Sequence, residues 1–244
     1  MKITRKTFAK SATALVLAGA TLAGVGAPIA NAQEPAPAVV SAVEAQKNPA
    51  VAESLGHEAI QAFKDVSPQT TPFYKEIGWI QHEGITTGWP DGNFYPQAKV
   101  QRAALVAFLY RLNGSPEVKL PATSPFKDVQ PGHQFYKEIV WAHQQGITTG
   151  WEDGTFRPWE PISREAMAAF FYRDAGQPAV DLSVGNKFSD VTKSPFYKEI
   201  QWFQQQGITT GWPDGTFRPT QSTDRDATAA FLFRYAYKVK GVGA

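Results

Sequence analysis

The stretch Gly84-Ile85-Thr86-Thr87-Gly88-Trp89, followed by Asp91, Gly92 and, ten positions after Gly92, Arg102, occurs three times with almost no change. It returns as Gly146 to Trp151 with Asp153, Gly154 and Arg164, and again as Gly207 to Trp212 with Asp214, Gly215 and Arg225. The arginines stand 62 and then 61 residues apart, and so do the glycines that open the three copies. A period held this closely over three copies marks a repeated supersecondary unit rather than a chance motif.

Upstream of each copy lies Phe-x-Asp-Val (Phe63 to Val66, Phe126 to Val129, Phe188 to Val191), then a proline-containing turn and a short amphipathic run. One-sided stripes of Ile77 with Ile80, Ile139 with Ala142 and Ile200 with Phe203 predict helices over 73–83, 135–145 and 196–206. Gly84, Gly146 and Gly207 stand where left-handed caps would end them. Downstream, Asp-Gly predicts a short β-turn or hairpin in each loop, and Pro96, Pro158 and Pro219 end the extended part. A second helix is expected from Arg102, Arg164 and Arg225. Its buried face is Leu105, Phe108, Leu109 and Leu112, then Met167, Phe170 and Phe171, then Phe231, Leu232 and Tyr235. The expected fold is therefore mainly α, built of three helix-loop-helix repeats. Two short helices cannot bury both stripes alone, so three equal units favour a closed threefold bundle over an open solenoid.

The repeats are expected over 63–125, 126–187 and 188–244, the last with a C-terminal tail. Before them, Lys2, Arg5, Lys6 and Lys10 precede an apolar run from about Ser11 to Val25 and then Ala30-Asn31-Ala32. That order reads as a secretory signal peptide over 1–32, cut before Gln33, with the general or the twin-arginine export route both open. The apolar run is too short and too rich in Ala and Gly for a spanning helix, so no transmembrane anchor is expected after cleavage. Residues 33–62 read as a Pro/Ala-rich spacer and a short capping helix that starts at Asn48-Pro49 and carries Val51, Leu55, Ala59 and Phe63. A terminal unit of a repeat array has a face with no neighbour, which such a helix can cover.

Loss of the signal removes four of the 24 basic residues and none of the 22 acidic ones, leaving a net charge of about −2. No basic block remains, so the composition excludes a nucleic-acid partner. With 0 cysteines there is no disulfide, no thiol chemistry and no site for a lipid on a terminal cysteine. Lys238 to Ala244 shows neither a hydrophobic tail nor a Leu-Pro-x-Thr-Gly sorting signal, so retention at a cell surface would be non-covalent.

The order Phe-x-Asp-Val, amphipathic helix, Gly-Ile-x-x-Gly-aromatic-x-Asp-Gly-x-Phe-x-Pro and then Arg at a helix start resembles the S-layer homology domain, over residues 63 to about 237. The resemblance implies a pseudo-threefold, three-pronged spindle that binds secondary cell-wall polysaccharide in grooves between its prongs. It further implies an exported surface protein anchored without a covalent bond. The family's glycan-contacting Arg of Ile-Thr-Arg-Ala-Glu carries over to Arg102, Arg164 and Arg225. The motif's Glu is replaced by Ala104, Ala166 and Ala227, and its usual Tyr by Trp.

An Arg in the first turn of a helix opposes the helix dipole by about 0.3–1 kcal/mol, so three repetitions of the choice ask for a reason. One reason is an anion held jointly by the guanidinium and the helix N–H groups. The other is an internal pair with the acid eleven positions earlier, Asp91, Asp153 or Asp214. Trp89, Trp151 and Trp212 could stack on a sugar or plug the loop into the core. Arg157 and Arg218 add positive potential to two grooves, and Tyr95 in their register makes the third unequal. The candidate ligand site is Arg102, Arg164 and Arg225 with Trp89, Trp151, Trp212, Asp91, Asp153, Asp214, Arg157 and Arg218. Trp79, Trp141 and Trp202 lie off the stripe and are expected between prongs. Lys75, Lys137 and Lys198 read as a solvated face, and Arg111, Arg173 and Arg234 as favourable helix C-terminal charges.

An acid/base hydrolase needs two carboxyls in different settings, whereas Asp65, Asp128 and Asp190 recur in identical ones. His57, His82, His133 and His143 follow no metal-ligand spacing. No enzyme activity, catalytic residue, metal or cofactor is expected. The partner is expected to be anionic cell-wall polysaccharide; the alternative is a structural or adaptor protein whose repeats contact other surface proteins or self-assemble.

Overall fold

A computed structural model describes residues 63–242. The expected signal peptide, spacer and capping helix lie outside them, as does His57. Among the described residues there are six helices: α1 Tyr74–His82, α2 Arg102–Leu112, α3 Tyr136–Gln144, α4 Arg164–Asp174, α5 Tyr197–Gln205 and α6 Arg225–Lys238. The shorter helices α1, α3 and α5 end within one residue of the sequence expectation. In α1, Gly84 sits at φ +68°, its N–H bonds Gln81 O at 3.0 Å, and Ile85 N–H bonds Ile80 O at 2.8 Å. This paired closure ends the helix and returns an isoleucine to the core. Gly146 and Gly207 repeat it at φ +70° and +63°.

Helices α2, α4 and α6 differ from the expected single apolar face. In α2 every residue from Arg102 to Tyr110 is buried, including Ala103, Ala104, Val106 and Ala107 between the large side chains. A helix apolar around its circumference belongs in the middle of a fold. The alanines that interrupt the stripe fill the places where neighbours approach.

Each shorter helix packs on the second helix of the preceding repeat: α3 on α2, α5 on α4 and, closing the ring, α1 on α6. An open solenoid would leave α1 and α6 apart, so the described residues form a closed pseudo-threefold bundle. Its closure is visible in the main chain: Val100 N bonds Thr223 O at 2.9 Å, Thr223 N bonds Ile162 O at 3.2 Å, and Ile162 N bonds Val100 O at 2.8 Å.

The Asp-Gly loops are turns, without the strand pairing a hairpin would have. Gly92 N bonds Trp89 O and Trp89 N bonds Asn93 O, both at 2.9 Å, with no strand among the described residues. The isolated antiparallel bridges join different repeats, Lys99 to Asp224, Gln101 to Pro161 and Ser163 to Ser222. Each loop turns toward its neighbour too soon to pair with itself, since the proline two residues past the turn's Phe lacks an N–H for a ladder.

Candidate functional site

The site begins with the aspartate of Phe-x-Asp-Val. Asp128 accepts the N–H groups of Phe156 and Arg157 at 2.8 and 2.7 Å, Asp190 those of Phe217 and Arg218 at 2.8 Å each, and Asp65 those of Phe94 and Tyr95 at 2.8 and 2.7 Å. The second residue of each pair is left-handed: Tyr95 at φ 57°, Arg157 at 59° and Arg218 at 60°. That conformation costs a non-glycine residue about 1–2 kcal/mol. The carboxylate over-determines it with two hydrogen bonds, and a side chain that would otherwise follow the loop is turned outward.

Arg157 and Arg218 then lie over the indoles of Trp151 and Trp212, with the guanidinium carbon 4.0 and 3.9 Å from the ring centre. Both tryptophans are well exposed, 45% and 38%, so of the two earlier readings, sugar platform or core plug, these two do not plug the core. Arg157 and Arg218 are fixed from the other side by Asp153 and Asp214, each at 3.0 Å. The hydroxyls of Thr155 and Thr216, together with these arginines, hold the two carboxyls down at about 2. In the first repeat Trp89 is half-buried, Tyr95 meets it edge-on at 5.8 Å, and the Tyr95 hydroxyl donates to Asp91. That bond, with those from Asn93, holds the Asp91 carboxyl below its ordinary value.

Arg102, Arg164 and Arg225 are not where an outward-facing anion ligand would be: they are 7%, 7% and 3% exposed. Each reaches across a repeat boundary, Arg102 Nε to Phe156 O at 2.8 Å, Arg164 Nε to Phe217 O at 2.6 Å and Arg225 Nε to Phe94 O at 2.7 Å. Aromatic rings surround them: Phe156 at 4.9 Å and Phe170 at 5.3 Å from Arg102, Phe217 at 4.7 Å and Phe231 at 5.4 Å from Arg164, Phe94 at 4.5 Å and Phe108 at 5.7 Å from Arg225. The expected internal pairs with Asp91, Asp153 and Asp214 are not what fixes them, because those acids bond Tyr95, Arg157 and Arg218 instead.

The helix N-termini are also occupied. Arg102 N and Ala103 N bond Glu160 O and Pro158 O at 3.0 Å, Arg164 N and Glu165 N bond Gln221 O and Pro219 O at 2.9 and 3.0 Å, and Arg225 N and Asp226 N bond Ala98 O and Pro96 O at 3.0 Å. Ring closure uses the N–H groups that an anion would have needed.

The consequence is a composite site in which the arginine of one repeat underlies the motif of the next. Arg102 joins Trp151, Asp153 and Arg157; Arg164 joins Trp212, Asp214 and Arg218; Arg225 joins Trp89, Asp91 and Tyr95. Trp151 lies 5.8 Å from Arg102 and Trp89 lies 5.9 Å from Arg225. Burial brings Arg102 and Arg164 down to about 10; for Arg102 the nearby Glu160 carboxylate opposes the shift and the charge of Arg157 adds to it, and for Arg164 the charge of Arg218 adds to it. Two of the three grooves therefore hold a buried and a half-buried guanidinium whose charges repel, and in the Arg102 groove Glu160, 3.7 Å from Arg157, offsets part of that repulsion.

Trp79, Trp141 and Trp202 lie between repeats as expected, against Phe233 at 5.3 Å, Tyr110 at 5.4 Å and Tyr172 at 5.5 Å. Lys75, Lys137 and Lys198 are exposed as expected, and Lys137 and Lys198 also lie 5.4 and 5.2 Å over Tyr110 and Tyr172. Arg111, Arg173 and Arg234 tie each repeat to itself through the carbonyls of Ile85, Ile147 and Ile208 at 2.8, 3.3 and 3.1 Å. Among the described residues no group of acids and histidines is placed to hold a metal ion, and no helix is long and apolar enough to cross a membrane.

A model of the S-layer homology domain family matches the chain at residues 62–105, 125–168 and 187–229, more than half its length. The chain is 29% identical over 164 residues to cell surface glycoprotein 1 of Acetivibrio thermocellus, a match covering 63% of the chain and 7% of that protein. It is 28% identical over 162 residues to the cellulosome-anchoring protein of the same organism, covering 64% of the chain and 36% of the relative. An endoglucanase of a Bacillus species is 30% identical over 188 residues, 72% of the chain and 19% of the enzyme. The chain thus spans a small part of each of these relatives. With three family matches falling on the three copies that close into one ring, the chain belongs to the S-layer homology domain family.

Proposed function

We propose that the chain is an exported, non-catalytic protein that attaches non-covalently to anionic cell-wall polysaccharide through the three grooves between its repeats. The observation that carries the reading is the Trp–Arg stack on two exposed indoles, Trp151 under Arg157 and Trp212 under Arg218, each beside the buried arginine of the preceding repeat. An indole face suits a sugar ring and a guanidinium pair suits a carboxylate on it. The names of the relatives, a cell surface glycoprotein and a cellulosome-anchoring protein, agree with a place at the cell surface. The signal sequence over 1–32 supplies the route. The recurring acids Asp65, Asp128 and Asp190 accept main-chain N–H bonds, which gives each a structural part in its own loop.

The grooves are unequal. Those of Arg157 and Arg218 take the anionic residue of the polymer, and that of Tyr95, with its hydroxyl turned to Asp91, takes an uncharged sugar. Grooves that engage one polymer together gain about 10²- to 10⁴-fold in avidity over one alone.

The test is titration of the chain with purified, protein-free wall polysaccharide, followed by tryptophan fluorescence at low and high salt. Saturable change that weakens with salt is expected, because the solvent-facing part of Arg157 and Arg218 is screened. No change with glycan, together with capture of another surface protein or self-association, would instead favour the adaptor reading.

A further inference from the structure

The three seams of the ring are covered differently. At the seam between α2 and α3, Tyr110 packs on Trp141 and donates its hydroxyl to Pro116 O at 2.7 Å; Gln144 donates to Lys119 O at 2.8 Å. At the seam between α4 and α5, Tyr172 packs on Trp202 and donates to Pro178 O at 2.9 Å; Gln205 donates to Asp181 O at 2.6 Å. In both, the stretch leading from one repeat to the next lies over the seam, and its valine, Val118 or Val180, packs on the core.

The third seam, between α6 and α1, has no such stretch among the described residues. Its aromatics are more open: Tyr74 is 36% exposed where Tyr136 is 5% and Tyr197 half-buried, Phe73 is exposed where Phe135 is buried and Phe196 half-buried, and Trp79 is half-buried where Trp141 and Trp202 are buried. Helix α6 also runs three residues longer than α2 or α4, and Tyr237 on its added turn is 43% exposed, against Phe233 at 4.4 Å and Trp79 at 5.8 Å.

We propose that residues 48–62, which lie outside the described residues, cover this seam as the two linkers cover theirs. The chain enters the fold at Phe63, at the start of the repeat whose α1 forms the seam, so the segment is tethered beside the open face. Its register matches: Val118 stands eight residues before Phe126, Val180 eight before Phe188, and Leu55 eight before Phe63. Val51 and Ala59 stand four residues either side of Leu55, an apolar set of the kind that exposed aromatics can bury. One co-substitution fits as well. Phe233 replaces Tyr110 and Tyr172, and Glu53 stands in the register of Pro116 and Pro178, so the hydroxyl and the proline whose carbonyl it reached are absent together.

The cover matters to the ring because no linker crosses this seam. Elsewhere a peptide joins the two sides; here they are held by Lys99 on Asp224, Gln97 on Asp226 at 2.9 Å and main-chain bonds. The groove of Arg225 and Trp89 is assembled across the same boundary.

Hydrogen exchange on the intact chain tests this, independently of any glycan. Amides of residues 50–62 are expected to exchange about tenfold or more slower than in the free peptide, and Leu55→Asp or the pair Phe73→Ser and Tyr237→Ser to remove that protection. Leu55→Asp should also raise binding of an apolar dye. Exchange at the free-peptide rate in the unsubstituted chain overturns the proposal, as does protection that survives all these substitutions. A chain that sediments as a dimer with the aromatics protected and residues 50–62 exchanging freely gives the seam to a second copy, and also overturns it.

Discussion

Arg102 donates its Nε–H to the main-chain oxygen of Phe156, 2.8 Å away and in the next repeat. The bond makes the arginine a structural member of a loop it does not belong to in sequence. Its half-buried companion, Arg157, is held in that loop at φ 59°. The buried and the half-buried arginines should therefore fail differently when removed.

Arg164→Ala strips Phe217 O of its buried donor and is expected to lower stability by about 1–3 kcal/mol in urea unfolding. Arg218→Ala, which removes only a half-buried side chain from over Trp212, is expected to cost less, at most about 1 kcal/mol, while weakening glycan retention. Equal effects of the two on stability would contradict the division.

The left-handed residues carry strain in exchange for position. Arg157→Asn, which that region tolerates, is expected to keep or raise the unfolding midpoint and to weaken binding. Asp128→Ala should do the opposite to stability, since it strands the N–H groups of Phe156 and Arg157, at about 1–3 kcal/mol. Thermal melts of the two variants side by side provide the check.

Two glycines of one loop should differ. At Gly146 a Cβ meets nothing within 4 Å, so Gly146→Ala is expected to cost only the left-handed strain of about 1–2 kcal/mol. At Gly150 a Cβ would stand 2.5 Å from the Phe126 ring and 2.6 Å from Thr155 O, so Gly150→Ala should be worse. Urea midpoints in that order are the expected result.

Asp153 and Asp214 fall from an ordinary 3.8 to about 2 in the fold, which means that folding favours their ionised form. Their contribution is fully present above about pH 4 and is lost as pH falls through about 2. Unfolding midpoints followed from pH 5 to pH 2 should fall less steeply in Asp153→Asn with Asp214→Asn than in the unsubstituted chain.

Much of the fold was legible because the local signals agree. The stripes of Ile77 with Ile80 and the glycines at 84, 146 and 207 placed α1, α3 and α5 to within a residue, and the tryptophans off that stripe did prove to lie between repeats. The site was less legible. Arg102 follows Asp91 by eleven positions, and reading along one copy suggests that they pair. Its actual partner is 54 residues away and is reached only because the ring closes. Tyr95, Arg157 and Arg218 each precede a proline, which biases a residue toward extended backbone, so their left-handed turn runs against the local rule. The cause is Asp65, Asp128 or Asp190, whose partners are main-chain N–H groups that no side-chain pattern displays. The recurrence of that acid in Phe-x-Asp-Val was the available signal.

The most direct measurement is cosedimentation of the chain with protein-free cell-wall glycan, comparing the unsubstituted protein with Arg157→Ala and Arg218→Ala together. The account predicts that the double variant keeps its helical circular dichroism but stays in the supernatant. Full retention of the folded double variant on the glycan would contradict it.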